Sequence, residues 1–305
     1  MTFGAIFDVK RFALHDGQGV RTTLFLKGCP LSCPWCQNPE GLRGKISLRW
    51  TSSKCIRCGQ CVTVCPNEAL SREEPELDIR IDHIECDSSG FCIDECPTAA
   101  LFFDGQRVSA GKIADEMLRD RDFFDTSGGG ITLSGGEPLA QTAFALEVLR
   151  LCKEAAVHTT VETSLSASHA SVLSIMPYTD LFLVDQKIVD PTMHHKILGT
   201  PLEPIRENLE FLLAEGASVV IRIPLIPGFT ATDENLRGLG TYIASLEHKP
   251  RVELLNFNPL AENKYRLLNH NWPIPRRTPR YTRDEMEAFA SILRNTGVER
   301  TMYDN

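Results

Sequence analysis

The chain has 305 residues, 42% of them hydrophobic and 24% charged, which is apolar content enough for a sizeable core and length enough for about two domains. A disordered chain is excluded, and a formal charge of −8 is a poor match to a phosphate backbone, so nucleic acid is not the expected substrate. The outlier is 11 Cys, of which ten fall between Cys29 and Cys96 and only Cys152 lies elsewhere.

In chain order, the N-terminal MTFGAIFDVKRFALHDGQG carries Asp8, Lys10 and Arg11 where a secretory leader would be apolar, and no run of 18 apolar residues follows. The expectation is a cytoplasmic protein with no membrane association, where clustered thiols stay reduced and hold metal or do chemistry. The stretch Arg21 to Lys27 reads as a strand, rich in Thr and aliphatics and closed by Gly28. From Lys45 the composition shifts to paired cysteine runs with short strand candidates, Asp78 to Ile81 and Leu101 to Phe103, which reads as a compact insert. After Arg107 helix and strand alternate. Ser109 caps a helix; Gly130 to Leu133 is a buried strand; helix Leu139 to Glu154, strand Val157 to Val161, a helix near Ala170 and strand Leu181 to Val184 follow. Helix Ile205 to Ala214, strand Ser218 to Ile223, helix Asp233 to Leu246, strand Val252 to Phe257 and helix Arg283 to Arg294 complete the series.

Strands separated by helices of this length pair in parallel through crossovers, so a β/α barrel or an open doubly wound sheet is expected. Six such strands are countable, too few for an eight-stranded barrel, and a partial (β/α)6 barrel fits. The expected division is 1–44 for the first barrel strand and its loop, 45–106 for an inserted α+β domain and 107–305 for the rest of the barrel.

The first cysteines, Gly28-Cys29-Pro-Leu-Ser-Cys33-Pro-Trp35-Cys36, stand in a C-x3-C-x2-C spacing directly after the first strand. Loops at the carboxyl ends of parallel strands build active sites. Three thiolates can hold three irons of a 4Fe-4S cluster and leave the fourth open; a three-thiolate zinc site is the alternative. The second group, Cys55, Cys58, Cys61 and Cys65 followed by Pro66, has the bacterial ferredoxin spacing, whose fourth Cys serves the other cluster of a pair. The frame recurs as Cys86, Ser89, Cys92, Cys96, Pro97, with Ser in the second place. The crossed rule then assigns Cys55, Cys58, Cys61 and Cys96 to one 4Fe-4S cluster. Cys65, Cys86 and Cys92 are left for a second, either 4Fe-4S completed by water, Asp87 or Ser89, or 3Fe-4S. Cys152, among Leu149, Leu151 and Ala155, reads as a packed core thiol.

The cysteine loop, with Trp35 before its third Cys, resembles that of radical S-adenosylmethionine enzymes. The longer string from His15-Asp-Gly-Gln-Gly through Phe25-Leu-Lys-Gly-Cys29 to Trp35-Cys36-Gln-Asn-Pro-Glu40 is similar to the activating enzymes of glycyl radical enzymes, those with a ferredoxin-like insert above all. The resemblance implies a radical-type partial barrel and a reduced 4Fe-4S cluster that cleaves S-adenosylmethionine. The resulting 5′-deoxyadenosyl radical takes hydrogen from a glycine of the partner. By the same resemblance Gly135, Gly136 and Glu137 receive the methionine amino group, and Asp185-Gln186-Lys187 offers Lys187 to the carboxylate. Glu162 and Thr163 face the site, Arg222 binds a carboxylate and Asn258 replaces a more usual His near the adenosine; His15 approaches the site. Two insert clusters would relay electrons from a flavodoxin or ferredoxin or else dock the partner, and the chain is expected to act as a monomer. The competing readings are a radical enzyme acting on another peptide or small molecule, and a ferredoxin-like electron carrier. No residue selects among glycyl radical dehydratases, C–S lyases, C–N lyases or decarboxylases as partner.

Overall fold

The structure, a computed structural model, describes residues 1–74, 78–268 and 271–303. In chain order its strands are β1 (Phe3–Ala13), β2 (Arg21–Leu26), β3 (Leu48–Trp50), β4 (Leu70–Ser71), β5 (Arg80–Ile81), β6 (Leu101–Phe103), β7 (Gln106–Ser109), β8 (Gly130–Gly135), β9 (His158–Thr163), β10 (Leu181–Asp185), β11 (Val219–Pro224), β12 (Arg251–Leu255) and β13 (Thr301–Tyr303). The helices are α1 (Gln60–Thr63), α2 (Phe91–Asp94), α3 (Ala110–Met117), α4 (Arg121–Ser127), α5 (Thr142–Glu154), α6 (His169–Ile175), α7 (Pro191–Leu198), α8 (Glu203–Ala214), α9 (Asp233–Ser245), α10 (Ala261–Leu267) and α11 (Arg283–Arg294).

Nine strands form one sheet in the order β13-β12-β11-β10-β9-β8-β2-β1-β7. The run from β2 to β13 is parallel throughout, while β1 and β7 add antiparallel strands at one edge. The six strands read from the sequence are the middle of this sheet, an arrangement consistent with a partial barrel. Strands β1, β3, β4, β7 and β13, and helices α1, α2, α4, α7 and α10, have no counterpart in the sequence reading. β1 alternates apolar residues with Asp8, Lys10 and Arg11, and only Gly4, Ile6 and Ala13 of it are buried, so it lacks the continuous apolar signature of a central strand. The strand read over Asp78 to Ile81 is confined to Arg80–Ile81.

The period-2 alternation sorts the strands into two faces. Leu24, Leu26, Ile131, Leu133, Val161, Phe182, Val184, Ile221, Ile223, Val252 and Leu254 pack under the helices in the main core. The alternate positions carry Thr23, Thr132, Ser134, Glu162, Asp185, Arg222 and Glu253, an inner face rich in polar groups. Polar side chains persist there because each finds a partner: Thr23 Oγ1 donates to Asp16 Oδ2 at 2.6 Å, and Arg21, fully buried, donates through Nε to Thr132 Oγ1 at 2.7 Å. Helix ends follow the local signals: Ser109, Ser168, Asp190, Thr232 and Thr282 each accept from a backbone N–H of the first turn.

The segment between β2 and β7 is a backbone repeat. Positive-φ residues Arg57 and Ser88, Gly59 and Gly90, Glu68 and Ala99 stand 31 residues apart (57 to 88, 59 to 90, 68 to 99), as do Cys55 and Cys86, Cys61 and Cys92, Cys65 and Cys96. Gly59 and Gly90 open α1 and α2 with matching left-handed geometry. The strands obey the same rule, because β3 pairs with β6 and β4 with β5, each half contributing one strand to each pair. Among the described residues no helix is long and apolar enough to cross a membrane.

Candidate functional site

The cysteine loop leaves β2 at Gly28, whose φ of +92° turns the chain, and lies over the carboxyl ends of the parallel strands. It is pinned from several sides. Gly28 N donates to Gly41 O and Cys29 N to Leu42 O, Ser32 N to Leu198 O, and Tyr265 Oη to Pro34 O at 2.9 Å. Leu31, Cys33 and Trp35 are buried in a small second core with Ile188, Leu198, Ile226, Phe257 and Ile274, and Trp35 packs against Phe229 at 4.7 Å between ring centroids.

The three thiols line a cavity of about 190 Å³ with Trp35, Gly135, Gly136, Glu162, Ser164, Asp185 and Lys187 among its walls. Burial raises all three thiols; Cys36 is pushed up to about 12 by burial and the neighbouring Cys33. Such thiols ionise when a metal takes the proton's place. Among the described residues no three His, Cys, Asp or Glu converge on the point a single ion would occupy. The three thiols share the wall of the one cavity, and three thiolates are the ligand count of an open 4Fe-4S cluster. Lys187 Nζ donates to Asp185 Oδ2 at 2.6 Å, and although burial opposes its charge, Asp185 and the thiols of Cys33 and Cys29 hold its pKa above the ordinary lysine value. Asp185 lines the cavity as well, and its Oδ1 is buried without a hydrogen-bond partner. The cavity therefore offers one fixed cation, the Lys187 ammonium, which suits a ligand carboxylate.

Four residues read as cofactor contacts are placed elsewhere. Glu137 does not line the cavity: its oxygens accept from Leu139 N, Thr163 Oγ1, Ser164 N and Ser164 Oγ at 3.2, 2.7, 2.8 and 2.6 Å, which fills the carboxylate. It ties the Gly135-Gly136 turn to the end of β9, and burial raises its pKa although these hydrogen bonds work the other way. Gln186 points to the other side of β10 from Asp185 and Lys187, buried outside the cavity wall. Arg222 lies one layer below, its Nε donating to Glu253 at 2.7 Å, Nη1 to Glu162 at 3.0 Å and Nη2 to His15 O at 2.6 Å, so all three nitrogens are engaged and its charge is shared by two carboxylates of the protein. Asn258 is exposed and caps the following turn through Leu260 N; its neighbour Asn256 exchanges two hydrogen bonds with Tyr281. His15 is part of the β1–β2 connection beneath Arg222, away from the thiols, and Cys152 is fully buried in the core.

Glu162 does reach the wall, with Ser134 Oγ donating to Oε2 and Arg222 to Oε1. Burial raises its pKa, against the pull of Arg222. Ser134, Ser164, Gln37 and Asn38 also line the cavity and were not read from the sequence. For Ser134 and Ser164 the signal was present, since both sit at the carboxyl ends of parallel strands.

In the repeat segment Cys55, Cys58, Cys61 and Cys96 line one small cavity with Trp50, Ile79 and Leu101. Besides burial, the thiols of Cys86, Cys65 and Cys61 raise the pKa of Cys92. Of the thiols read as sets from the spacing, Cys55, Cys58, Cys61 and Cys96 thus share one cavity.

A parallel α/β sheet with an open three-thiol loop at its carboxyl edge defines a class, and comparison agrees: residues 23–239 match the Radical SAM superfamily. A radical SAM methyltransferase from Sphaerobacter thermophilus shares the fold, with a TM-score of 0.50 and 18% identity over 65% of this chain and 58% of that one. More specifically, the chain is 38% identical over 279 residues to the isethionate sulfite-lyase activating enzyme of Oleidesulfovibrio alaskensis, covering 90% of this chain and 89% of the relative. It is also 38% identical over 275 residues to the benzylsuccinate synthase activating enzyme of Thauera aromatica, covering 88% and 82%. The chain belongs to the radical SAM activating enzymes of glycyl radical enzymes. Enzymes of this family use a 4Fe-4S cluster and S-adenosylmethionine, and the 5′-deoxyadenosyl radical they generate takes a hydrogen atom from a glycine of the partner enzyme.

Proposed function

We propose that Cys29, Cys33 and Cys36 hold the S-adenosylmethionine-binding 4Fe-4S cluster, and that the cavity they line seats the methionine end of the cofactor. The observation that carries the assignment is the joint presence on one cavity of three thiols and the Lys187–Asp185 ion pair. When bound, the reduced cluster supplies the electron that cleaves the sulfonium. The protein's own residues do the placing. Lys187 faces the carboxylate, Asp185 Oδ1 and the Gly135-Gly136 backbone receive the ammonium, and Glu162 is held ready by Ser134 and Arg222. Glu137 acts behind this layer by bracing the glycine turn. The apolar shell around Trp35, Ile226 and Phe257 keeps water from the cluster loop.

The segment 45–106 is, in this reading, a ferredoxin-like domain. Cys55, Cys58, Cys61 and Cys96 hold a second 4Fe-4S cluster; Cys65, Cys86 and Cys92 hold a third cluster, which lacks a fourth thiol at Ser89. The 31-residue repeat and the crossed grouping of the thiols support it. A flavodoxin or ferredoxin supplies the electron, and the chain works as a cytoplasmic monomer. Relatives of equal identity carry the names of a sulfite-lyase and of a synthase, so identity does not choose the partner's chemistry.

The test is anaerobic. The protein reconstituted with iron and sulfide, then given dithionite and S-adenosylmethionine, is expected to release 5′-deoxyadenosine. The Cys33→Ala variant should lose this product together with about one cluster's worth of iron. Wild-type protein with every cluster present and no product would favour a simple electron carrier.

A further inference from the structure

The repeat segment is symmetric in backbone and asymmetric in charge. Positions 31 residues apart share backbone geometry, yet Lys54 corresponds to Glu85 and Ile56 to Asp87. From Lys54 to Cys61 there are two cations and no acid; from Glu85 to Cys92 there are two acids and no cation. Arg72 Nη1 donates to Arg57 O at 2.8 Å and brings a third cation to the first half. Two acids offset this collar in part, Asp78 at 4.0 Å from Arg57 and Glu95 on the wall of the thiol cavity.

The halves also differ in position. β3 and β6 pair Leu48 with Phe103 and Trp50 with Leu101, and Asp104 N donates to Ser47 O at 3.0 Å, so the Leu48 end is rooted on the main sheet and the Trp50 end is the tip. Cys55, Cys58, Cys61 and Cys96 surround a cavity against Trp50 and Leu101, at the tip. The other half lies toward the root, where a side chain at Gly90 would touch Phe103 at 3.7 Å and Lys45 Nζ donates to His83 O at 3.1 Å. Of the eleven thiols, all within the described residues, only Cys58 is exposed. Beside it Ile56 is 63% exposed, and Lys54 and Arg57 flank both. Ile84 and Phe91 are also exposed on the root half, but acids neighbour them.

We propose that the tip surface formed by Lys54, Ile56, Arg57 and the exposed Cys58 is the docking site of an anionic one-electron carrier protein. The carrier is oxidised by one electron there, and the iron held by Cys55, Cys58, Cys61 and Cys96 is the acceptor, the set at Cys65, Cys86 and Cys92 lying next on the way to the main sheet. An apolar centre within a basic collar steers and seats an acidic partner, whereas the acidic root half repels it. The inference rests on the reading of this segment as a holder of clusters.

The probe is an acidic flavodoxin, and the measurement is its dissociation constant for the anaerobic holoprotein. At low ionic strength the variant Lys54→Glu/Arg57→Glu is expected to bind about tenfold more weakly or worse, with the difference closing at high salt. Ile56→Asp should weaken binding at both salt concentrations, and Glu85→Lys should not weaken it. Wild-type protein that fails to bind the probe, or a double variant with unaltered affinity and a wild-type EPR spectrum after dithionite reduction, would overturn the docking site alone. Iron content of only about four per chain, one cluster's worth, would overturn the underlying reading as well.

Discussion

Replacing Asp104 tests how the repeat segment is fastened to the main sheet. Its carboxylate, almost fully buried, accepts from Lys27 Nζ at 3.0 Å, Ser47 N at 2.9 Å and Arg49 Nε at 2.8 Å, with Arg49 Nη2 also at 2.8 Å. Lys27 is wholly buried at the end of β2, two residues before Cys29, and burial lowers its pKa against the support of Asp104. Asp104→Ala strands that ammonium with the carbonyls of Glu40 at 2.6 Å and of residue 104 at 3.3 Å. Breaking a buried pair from one side costs about 3–5 kcal/mol, and the lower end applies because Lys27 keeps Glu40 O while Arg49 can turn to water. Asp104→Asn keeps an oxygen for one donor and should lose about 1–2 kcal/mol. The measurement is urea denaturation of the anaerobic holoprotein, with limited proteolysis to show where opening begins. The alanine variant should be cut first within 45–106. A loss under about 0.5 kcal/mol, or an Asn variant as weak as the Ala variant, would refute the reasoning.

Gly136→Ala would set a Cβ at 2.4 Å from Gly28 O and 2.5 Å from Gly41 O, all backbone, so the glycine turn must part from the cysteine loop; S-adenosylmethionine affinity by equilibrium dialysis should fall about tenfold or more. Cys152→Ser buries a hydroxyl in an apolar site and should cost about 1–2 kcal/mol in denaturation with iron content unchanged. The thiol itself, pushed up to about 12 by burial, should resist alkylation at neutral pH in the folded protein. Asp120 accepts from the Arg11 guanidinium and from Thr22 Oγ1, and the Arg11 hydrogen bond is the main reason its pKa is lowered. A depressed carboxylate stabilises the fold above its unfolded pKa, near 3.9, and loses that contribution as pH falls through its lower folded value. The stability gap between wild type and Asp120→Asn should therefore be full at neutral pH and shrink below about pH 4; a gap independent of pH would count against the ion pair.

The sheet was legible because crossover helices and buried strands leave two distinct periods in the sequence, and the cysteine sets because their spacing is short and local. Contacts that depend on a third element were not. Arg222 stands at a strand end, as an anion-binding residue would, yet nothing local shows that Glu162 and Glu253, each on a strand adjacent to or near β11, reach its guanidinium first. Glu137 belongs to a recognisable Gly-Gly-Glu turn, but the groups that fill it, Thr163 and Ser164, arrive from β9. Asn258 lies just past β12, where polar residues serve chain reversal as readily as binding. Helix α7 carries a readable start, Asp190 before Pro191.

The root of the repeat segment has a further consequence. Ser47 and Asp104 lie a single backbone hydrogen bond apart, so 48–103 begins and ends at one place on the main sheet. Its removal would leave two chain ends that a short turn can rejoin, with Gly105 and β7 still able to follow β1 in register. Excision of 48–103 is thus expected to leave every strand of the parallel sheet tied as it is, because none of that sheet's strands lies within it.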